Sequence, residues 1–452
     1  MSKEKETEIA QTKKLMIGDI VTFQSVKWIE NGDESFLYSE GILKGDLRLS
    51  DSDCLDDCKF AIHLQRQYSA ARELKEFQDS QDKIDDDDPV IAAKYLQALK
   101  RGYINEIQLN NDYMQKKYGK PVLFGDIIQL YHIKSGKYIK IIPGELASVE
   151  RENIKIILSD SGDPYSWLQI LPRFKIDRIT DPIPHGTELY LGLAERAGEF
   201  LHVADRDSIQ GQKREVNCSL EATSWKLNIF QAATDSTDTK KILASDIVYV
   251  YDPETRCYLM LGCPPLENLE DPVENDGVEN EEKKEEKEQA PTSDEEYRII
   301  LESAGALVDS SALWVLELDN SLRGGLINYK TEKVKLKHFN TGKYLAIDLS
   351  LQELDDGSVE DHYQITVTDD ADFEGNRLSL TEMNSNSSFL NIGKAVQISR
   401  NGLFVERGEL DEKTYSVSCG NESASAINFV INRYVLSSNN IIVPIKIIIK
   451  IP

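Results

Sequence analysis

Apolar and polar residues alternate along most of the chain, and glycine-containing turns break the alternation at intervals. Residues 127–139 (IIQLYHIKSGKYI) and 334–346 (VKLKHFNTGKYLA) each hold an alternating apolar run, a His, a Ser/Thr-Gly-Lys turn and a Tyr followed by an aliphatic residue. Period 2 on both sides of such a turn predicts a β-hairpin with one face buried. Residues 18–22, 186–203, 245–261 and 395–405 repeat the layout more weakly. Six units result, starting near 18, 125, 186, 245, 333 and 395, so the chain is read first as a set of repeats. An aromatic in a short strand trails most units: Phe60, Trp167, Trp225, Trp314, Phe389 and Phe429. Each is expected to plug the core of its repeat.

Three four-stranded units about a pseudo-threefold axis make a β-trefoil. Six units therefore predict a mainly β chain of two tandem β-trefoils. One segment breaks the period. Residues 68–77 (YSAARELKEF) read as a short helix, and four Asp at 85–88 before Pro89 read as the start of a second helix that stops at Gly119. Leu96, Leu99, Tyr103 and Ile107 fall at helical spacing, which predicts one packed face. The first trefoil thus carries a helix-turn-helix arm at about 68–119. The expected organisation is a disordered lead at 1–14, the first trefoil over 15–235 and the second over 241–435. The polar stretch 232–240 is the expected linker, and 436–452 the tail.

Charge removes several classes of partner. The chain has 452 residues, with 78 acidic and 52 basic side chains and a net charge of −26. Nucleic acid and an anionic membrane surface are disfavoured as main partners, since both need clustered Lys and Arg, and direct membrane insertion by this chain is not expected. Residues 270–296 hold 13 acidic residues and three lysines, so they carry −10 of the total. The stretch 267–296 is expected to be a disordered acidic loop inside the second trefoil. The first 14 residues are charged and lack the apolar core of a signal peptide. No stretch reaches the roughly 18–20 apolar residues that cross a bilayer. The expectation is a cytoplasmic chain whose six cysteines are reduced and structural.

Motifs that carry chemistry do not survive inspection. Gly136-Lys137 and Gly342-Lys343 suggest a phosphate loop, but a Tyr follows each Lys, and the motif needs Ser or Thr between a strand and a helix. A hairpin turn is the better reading. Asp370, Asp372 and Glu374 with Gly375 imitate the start of a calcium loop, but Thr381 stands where a bidentate Glu belongs. His132 and His338 occupy equivalent repeat positions, which points to packing. No catalytic motif, metal site or cofactor is predicted.

The duplicated hairpins, the Trp-closed units and Arg323-Gly324-Gly325 resemble MIR repeats. Their order, with a helical arm after Tyr68-Ser69-Ala70, resembles the N-terminal cytosolic region of inositol trisphosphate receptors, and more distantly of ryanodine receptors. The resemblance covers about residues 15–435. It implies a suppressor-like first trefoil, a second trefoil forming half of a ligand site, and an armadillo domain forming the other half. It further implies the cytosolic face of the endoplasmic reticulum or another calcium store, with other domains or subunits of a calcium-release channel as partners. In the family, an Arg-Thr-Thr-Gly-Arg loop ahead of a Leu-Trp strand contributes to the phosphate site. Here the loop before Leu313-Trp314 reads Glu302, Ser303, Ala304, Gly305, Ala306. Glu302 and Ala306 replace the two arginines, and a trisphosphate needs such donors. The chain is therefore expected to act by coupling between domains and not to bind inositol trisphosphate tightly. The alternative is a stand-alone MIR/β-trefoil interaction module without channel activity.

Overall fold

Alternating Val, Ile, Leu and Tyr do form strands throughout. A computed structural model describes residues 13–31, 35–42, 45–81, 89–206, 213–262, 297–303, 308–353, 359–383, 385, 387–411 and 414–434. The acidic stretch 267–296, the lead at 1–12 and the tail from 435 lie outside these. Two compact units are present, one ending at Asp238 and the other starting at Thr239. Both are mainly β. Among the described residues, twelve strands join in one antiparallel network in each unit, and the second unit adds the pair Leu243–Ala244 with Gly325–Leu326.

All six hairpins form. Their strands are Ile20–Ser25 with Phe36–Tyr38, Ile127–His132 with Lys137–Leu146, and Glu188–Leu193 with Phe200–Val203. In the second unit they are Ile247–Asp252 with Cys257–Gly262, Val334–His338 with Tyr344–Glu353, and Ala395–Arg400 with Leu403–Asp411. A short lead-in precedes each hairpin and carries one wholly buried aliphatic: Leu15, Val122, Ile183, Ile242, Ile327 or Leu390. Within a unit the three lead-ins bridge one another in a ring. Lys14 pairs with Pro184, Met16 with Pro121 and Leu123 with Pro182. Likewise Lys241 pairs with Asn391, Asn328 with Phe389 and Leu243 with Leu326. A closed ring leaves no strand edge open at that end. Three lead-ins are tied off by an aspartate that accepts the backbone N–H three residues earlier. The pairs are Asp19 with Met16 (2.8 Å), Asp126 with Leu123 (2.9 Å) and Asp246 with Leu243 (2.8 Å).

Four of the six expected aromatic plugs are wholly buried: Phe60, Trp225, Trp314 and Phe429. The indole N–H of Trp225 donates to the Leu201 carbonyl at 3.1 Å, and that of Trp314 donates to Leu259 at 2.9 Å. Trp167 and Phe389 do not plug a core. Trp167 is half-buried and Phe389 is 37% exposed, while the residue after each, Leu168 and Leu390, is buried. In extended chain a one-residue offset sends the side chain to the opposite face. Phe389 also belongs to a lead-in, where it bridges Asn328, and not to a closing strand.

The arm departs from its expected face. Helix α1 (Val26–Asn31) is short, and the arm consists of α2 (Ser69–Gln81) and α3 (Pro89–Lys117). At 29 residues and 1.5 Å per residue, α3 is about 43 Å long. Leu96 and Leu99 are half-buried as expected, but Tyr103 and Ile107 are exposed. The packed face continues instead through Gly102, Glu106 and Asn110, because α2 starts against it. Glu106 accepts from the Ser69 hydroxyl (2.9 Å) and from the Ala70 and Ala71 N–H groups (2.8 and 3.1 Å). A helix leaves its first N–H groups without internal partners and has a partial positive charge at that end. One carboxylate from α3 answers both. Asn110 adds two 2.9 Å bonds, one in each direction, to the backbone of Gln67. Glu106→Ala is expected to cost about 1–2 kcal/mol, as for loss of a strong N-cap. Amide exchange should then quicken across residues 69–81 while the Trp225 strand keeps its protection.

Candidate functional site

The sequence-predicted loop starts at the end of the strand Arg298–Glu302, which lies between Cys257–Gly262 and Thr414–Gly420. Leu301 is wholly buried and Ile299 nearly so, so the period of 2 turns Arg298, Ile300 and Glu302 outward. Glu302 stands in register with Tyr258 on one side and Thr414 on the other. Its carboxylate has no hydrogen-bond or ion-pair partner among the described residues. Ser303 is exposed, and Ala304, Gly305 and Ala306 lie outside the described residues. Beyond the loop, Asp309 accepts from the Ser311 N–H and caps the turn Ser310–Ala312 that leads into Trp314. The described start of the loop therefore presents a carboxylate without a partner among the described residues.

The two Gly-Lys turns are hairpin turns. Gly136 and Gly342 have φ of 70° and 74°, and their N–H groups donate to the carbonyls of His132 and His338 at 2.9 Å each. Lys137 pairs with Asp160 at 3.4 Å and Lys343 with Asp369 at 2.7 Å, so both ammoniums are held at the sheet. The histidines repeat one arrangement in both units. Nε2 of His132 lies 3.1 Å from the Asp57 carbonyl, and Nε2 of His338 lies 3.1 Å from the Ser311 carbonyl. A carbonyl only accepts, so Nε2 carries the hydrogen and Nδ1 accepts. The donors to Nδ1 are the hydroxyls of Ser135 (2.8 Å) and Thr341 (3.0 Å). Each imidazole thus ties a turn to the preceding repeat.

These histidines fix the sign of one pH response. Burial lowers the pKa of His132, His185 and His338, and holds His63 at about 3. The folded state then favours neutral imidazole, while the unfolded state takes up protons below 6.5. Stability is fully present above pH 6.5 and is expected to fall as pH drops from there toward 3. Urea midpoints at pH 7.5, 6 and 5 check this, and a midpoint that rises as pH falls would contradict it.

The acidic turn at Asp370 connects Val359–Thr368, which pairs with Tyr344–Glu353, to Ser379–Glu382, which pairs with Ala395–Arg400, so it is a crossing loop and not a hairpin turn. Asp370 accepts from the Asp372 N–H at 2.8 Å, and Lys335 donates to the Ala371 carbonyl at 2.7 Å. Among the described residues no His, Cys, Asp and Glu group has the geometry of a metal site. Cys58, Cys218, Cys257 and Cys419 are free thiols, and burial raises the pKa of Cys419 to about 11 and pushes Cys218 higher still. Neither thiol is poised to react.

Sequence reading named Glu302 but missed Tyr249, Tyr251 and Tyr258 beside it, which come together only through strand register.

Comparison with known proteins follows the same division. Residues 10–236 match the family model described as inositol 1,4,5-trisphosphate/ryanodine receptor. The chain is 26% identical over 360 residues to the inositol 1,4,5-trisphosphate receptor itr-1 of Caenorhabditis elegans. That alignment covers 74% of this chain and 11% of the receptor.

Proposed function

The chain belongs to the inositol 1,4,5-trisphosphate/ryanodine receptor family, and from that premise we propose that it is the cytosolic N-terminal regulatory region of an intracellular calcium-release channel. In this reading the two units are tandem β-trefoils. The ring of three bridged lead-ins in each unit supports it. The first trefoil with its arm acts as a suppressor-like domain and the second as a ligand-site half that has lost its phosphate donors. Regulation runs through contacts with other domains or subunits of the channel, at the cytosolic face of a calcium store. No helix among the described residues is long and apolar enough to cross a membrane.

The observation that carries the ligand half of this reading is Glu302. Like charges about 4 Å apart repel by about 4 kcal/mol at an effective dielectric of about 20. Calorimetry on this chain should therefore find inositol trisphosphate binding weaker than micromolar. Glu302→Arg together with Ala306→Arg should tighten it at least tenfold. Micromolar binding by the unaltered chain would sink the proposal that this site has lost its ligand. The channel half is tested by grafting residues 13–434 onto the itr-1 receptor in place of the matching segment. The chimera should assemble and release calcium poorly in response to inositol trisphosphate, and the double arginine variant should recover the response. A chimera with an unaltered ligand response would refute the regulatory role assigned to this region.

A further inference from the structure

Three tyrosines share the outer face of the second unit with Glu302. Tyr258 stands opposite Tyr251 on one neighbouring strand and opposite Glu302 on the other. Residues directly opposite in an antiparallel pair project from the same face, with Cβ atoms about 4.5–5.5 Å apart. Tyr249 lies two residues before Tyr251 on its strand and so joins them. The inward positions between them, Cys257, Leu259 and Leu301, are buried in the core. Outward, the rings cluster. The ring centre of Tyr258 lies 5.0 Å from that of Tyr251 and 5.6 Å from that of Tyr249, with the planes inclined at 51° and 67°. All three tyrosines and Glu302 are half-buried, and neither the phenol hydroxyls nor the carboxylate has a hydrogen-bond partner among the described residues.

The charge on this face is one-sided. Arg407 is neutralised by Asp252 at 2.7 Å and Glu254 at 3.1 Å. Arg298 is four residues up the strand from Glu302, about 13 Å away at ~3.3 Å per residue. Arg256, exposed in the turn after Asp252, makes no ion pair with Glu302 among the described residues. A free carboxylate beside the negative faces of aromatic rings attracts a cation. A hard metal ion needs six or more oxygen ligands, and one carboxylate supplies two. A guanidinium suits the arrangement better, since its fork can take both carboxylate oxygens while its plane lies against a ring.

We propose that this face docks an arginine side chain carried by a basic segment of a partner protein, with Glu302 as counter-ion and the tyrosine cluster, centred on Tyr258, as stacking wall. Arginine and tyrosine are the side chains that most often dominate protein interfaces. The inference rests on the reading of residues 302–306 as a loop without phosphate donors, and it names what the altered loop recognises: a cation in place of an anion.

The test is NMR of the tyrosine ring signals in the full chain, assigned with single Tyr→Phe variants, during titration with triarginine amide. Ring signals are needed because a chain of net charge −26 attracts cations at many other places. The Tyr249, Tyr251 and Tyr258 signals should shift saturably with triarginine amide and stay still with tricitrulline amide, its neutral counterpart. Glu302→Gln should weaken the interaction at least fivefold, and Tyr258→Leu should do the same. Glu302→Gln alters a half-exposed position and decides the matter if Tyr258→Leu does not fold. Arg256→Gln should leave the affinity unchanged or higher. Unaltered affinity in Glu302→Gln overturns the proposal, and so does trilysine amide bound as tightly as triarginine amide. Calorimetry with inositol trisphosphate on the same sample separates the two readings. Silent rings with no inositol trisphosphate binding overturn the arginine site alone, whereas micromolar inositol trisphosphate binding overturns the reading of the loop and this proposal with it.

Discussion

Trp314→Ala is expected to cost the second unit about 3–5 kcal/mol, the range for truncating a large buried aromatic. The side chain is wholly buried, and three attachments fail together. Its ring contacts with the surrounding aliphatics disappear and leave a cavity. The Leu259 carbonyl, 2.9 Å from the indole nitrogen, loses its donor inside the core, a loss of about 1–3 kcal/mol where water cannot enter. The edge contact with His338, at 5.2 Å between ring centres, goes as well, and that imidazole holds the Thr341 turn. Domains of this size are stable by about 5–15 kcal/mol, so the variant should lose about a fifth of its margin or more. Urea unfolding, followed by amide exchange in Leu313–Leu318 and Val334–His338, gives the measurement. Trp167→Ala is the control. It removes a half-buried ring whose nitrogen has no acceptor, and it should cost less than half as much. Equal losses at the two positions would mean that the core assignment of Trp314 is wrong.

The difference between Trp167 and Trp314 also marks how far the sequence could be read. Period-2 alternation is local, so five hairpins were legible from it, while of the first only Ile20–Ser25 was, since helix α1 separates it from Phe36–Tyr38. What decides which aromatic faces inward is register, and register depends on partners far away. Trp314 stands opposite His338 and Phe60 opposite His132, whereas at the corresponding place Leu168 stands opposite Leu193 and displaces Trp167 from the core. The lead-in ring was hidden for the same reason. Met16 and Pro121, or Lys14 and Pro184, are single bridges between residues more than 100 positions apart, with no motif of their own. On α3, hydrophobic spacing pointed to Tyr103 and Ile107, but the face toward α2 is decided by the polar requirement of a helix start, which Glu106 and Asn110 meet. Polar residues at packed positions are invisible to a rule that looks for apolar stripes. At the candidate loop the reverse held. That Glu302 is a carboxylate where the resemblance leads one to expect an arginine is an expectation drawn from the sequence alone, while its place in register with Tyr258 and Thr414 needed the structure.

Gly18→Ala should be the most damaging glycine substitution in the lead-in ring, although Gly occupies the same turn in most repeats. Gly18, Gly125, Gly186 and Gly393 have φ between 73° and 93°, and Ser245 takes the same place at 76°. An L-residue in this region costs about 1–2 kcal/mol, and Ser245 shows that the fold tolerates it. Strain alone therefore sets a modest penalty. At Gly186 nothing lies within 4 Å of an added Cβ, so Gly186→Ala should cost that strain and little more. At Gly18 the added Cβ would collide with the ring of Tyr118, which follows α3 directly. Tyr118 cannot simply move away. Its hydroxyl donates to the Ala233 carbonyl at 3.1 Å, and the Ala233 N–H donates to the wholly buried Asp19 at 2.7 Å. Asp19 in turn caps Met16, so displacing the ring pulls on the lead-in from its other end. Overpacking of this kind adds about 1–3 kcal/mol to the strain, for a total of about 2–5 kcal/mol. Denaturant unfolding of Gly18→Ala beside Gly186→Ala measures the difference, and amide exchange at Tyr113–Lys117 reports whether the end of α3 has loosened. In Gly18→Ala with Tyr118→Ala the collision is gone, so the pair should be less than additive. Costs that are equal at Gly18 and Gly186, or strictly additive with Tyr118→Ala, would show that the arm is not anchored at this turn.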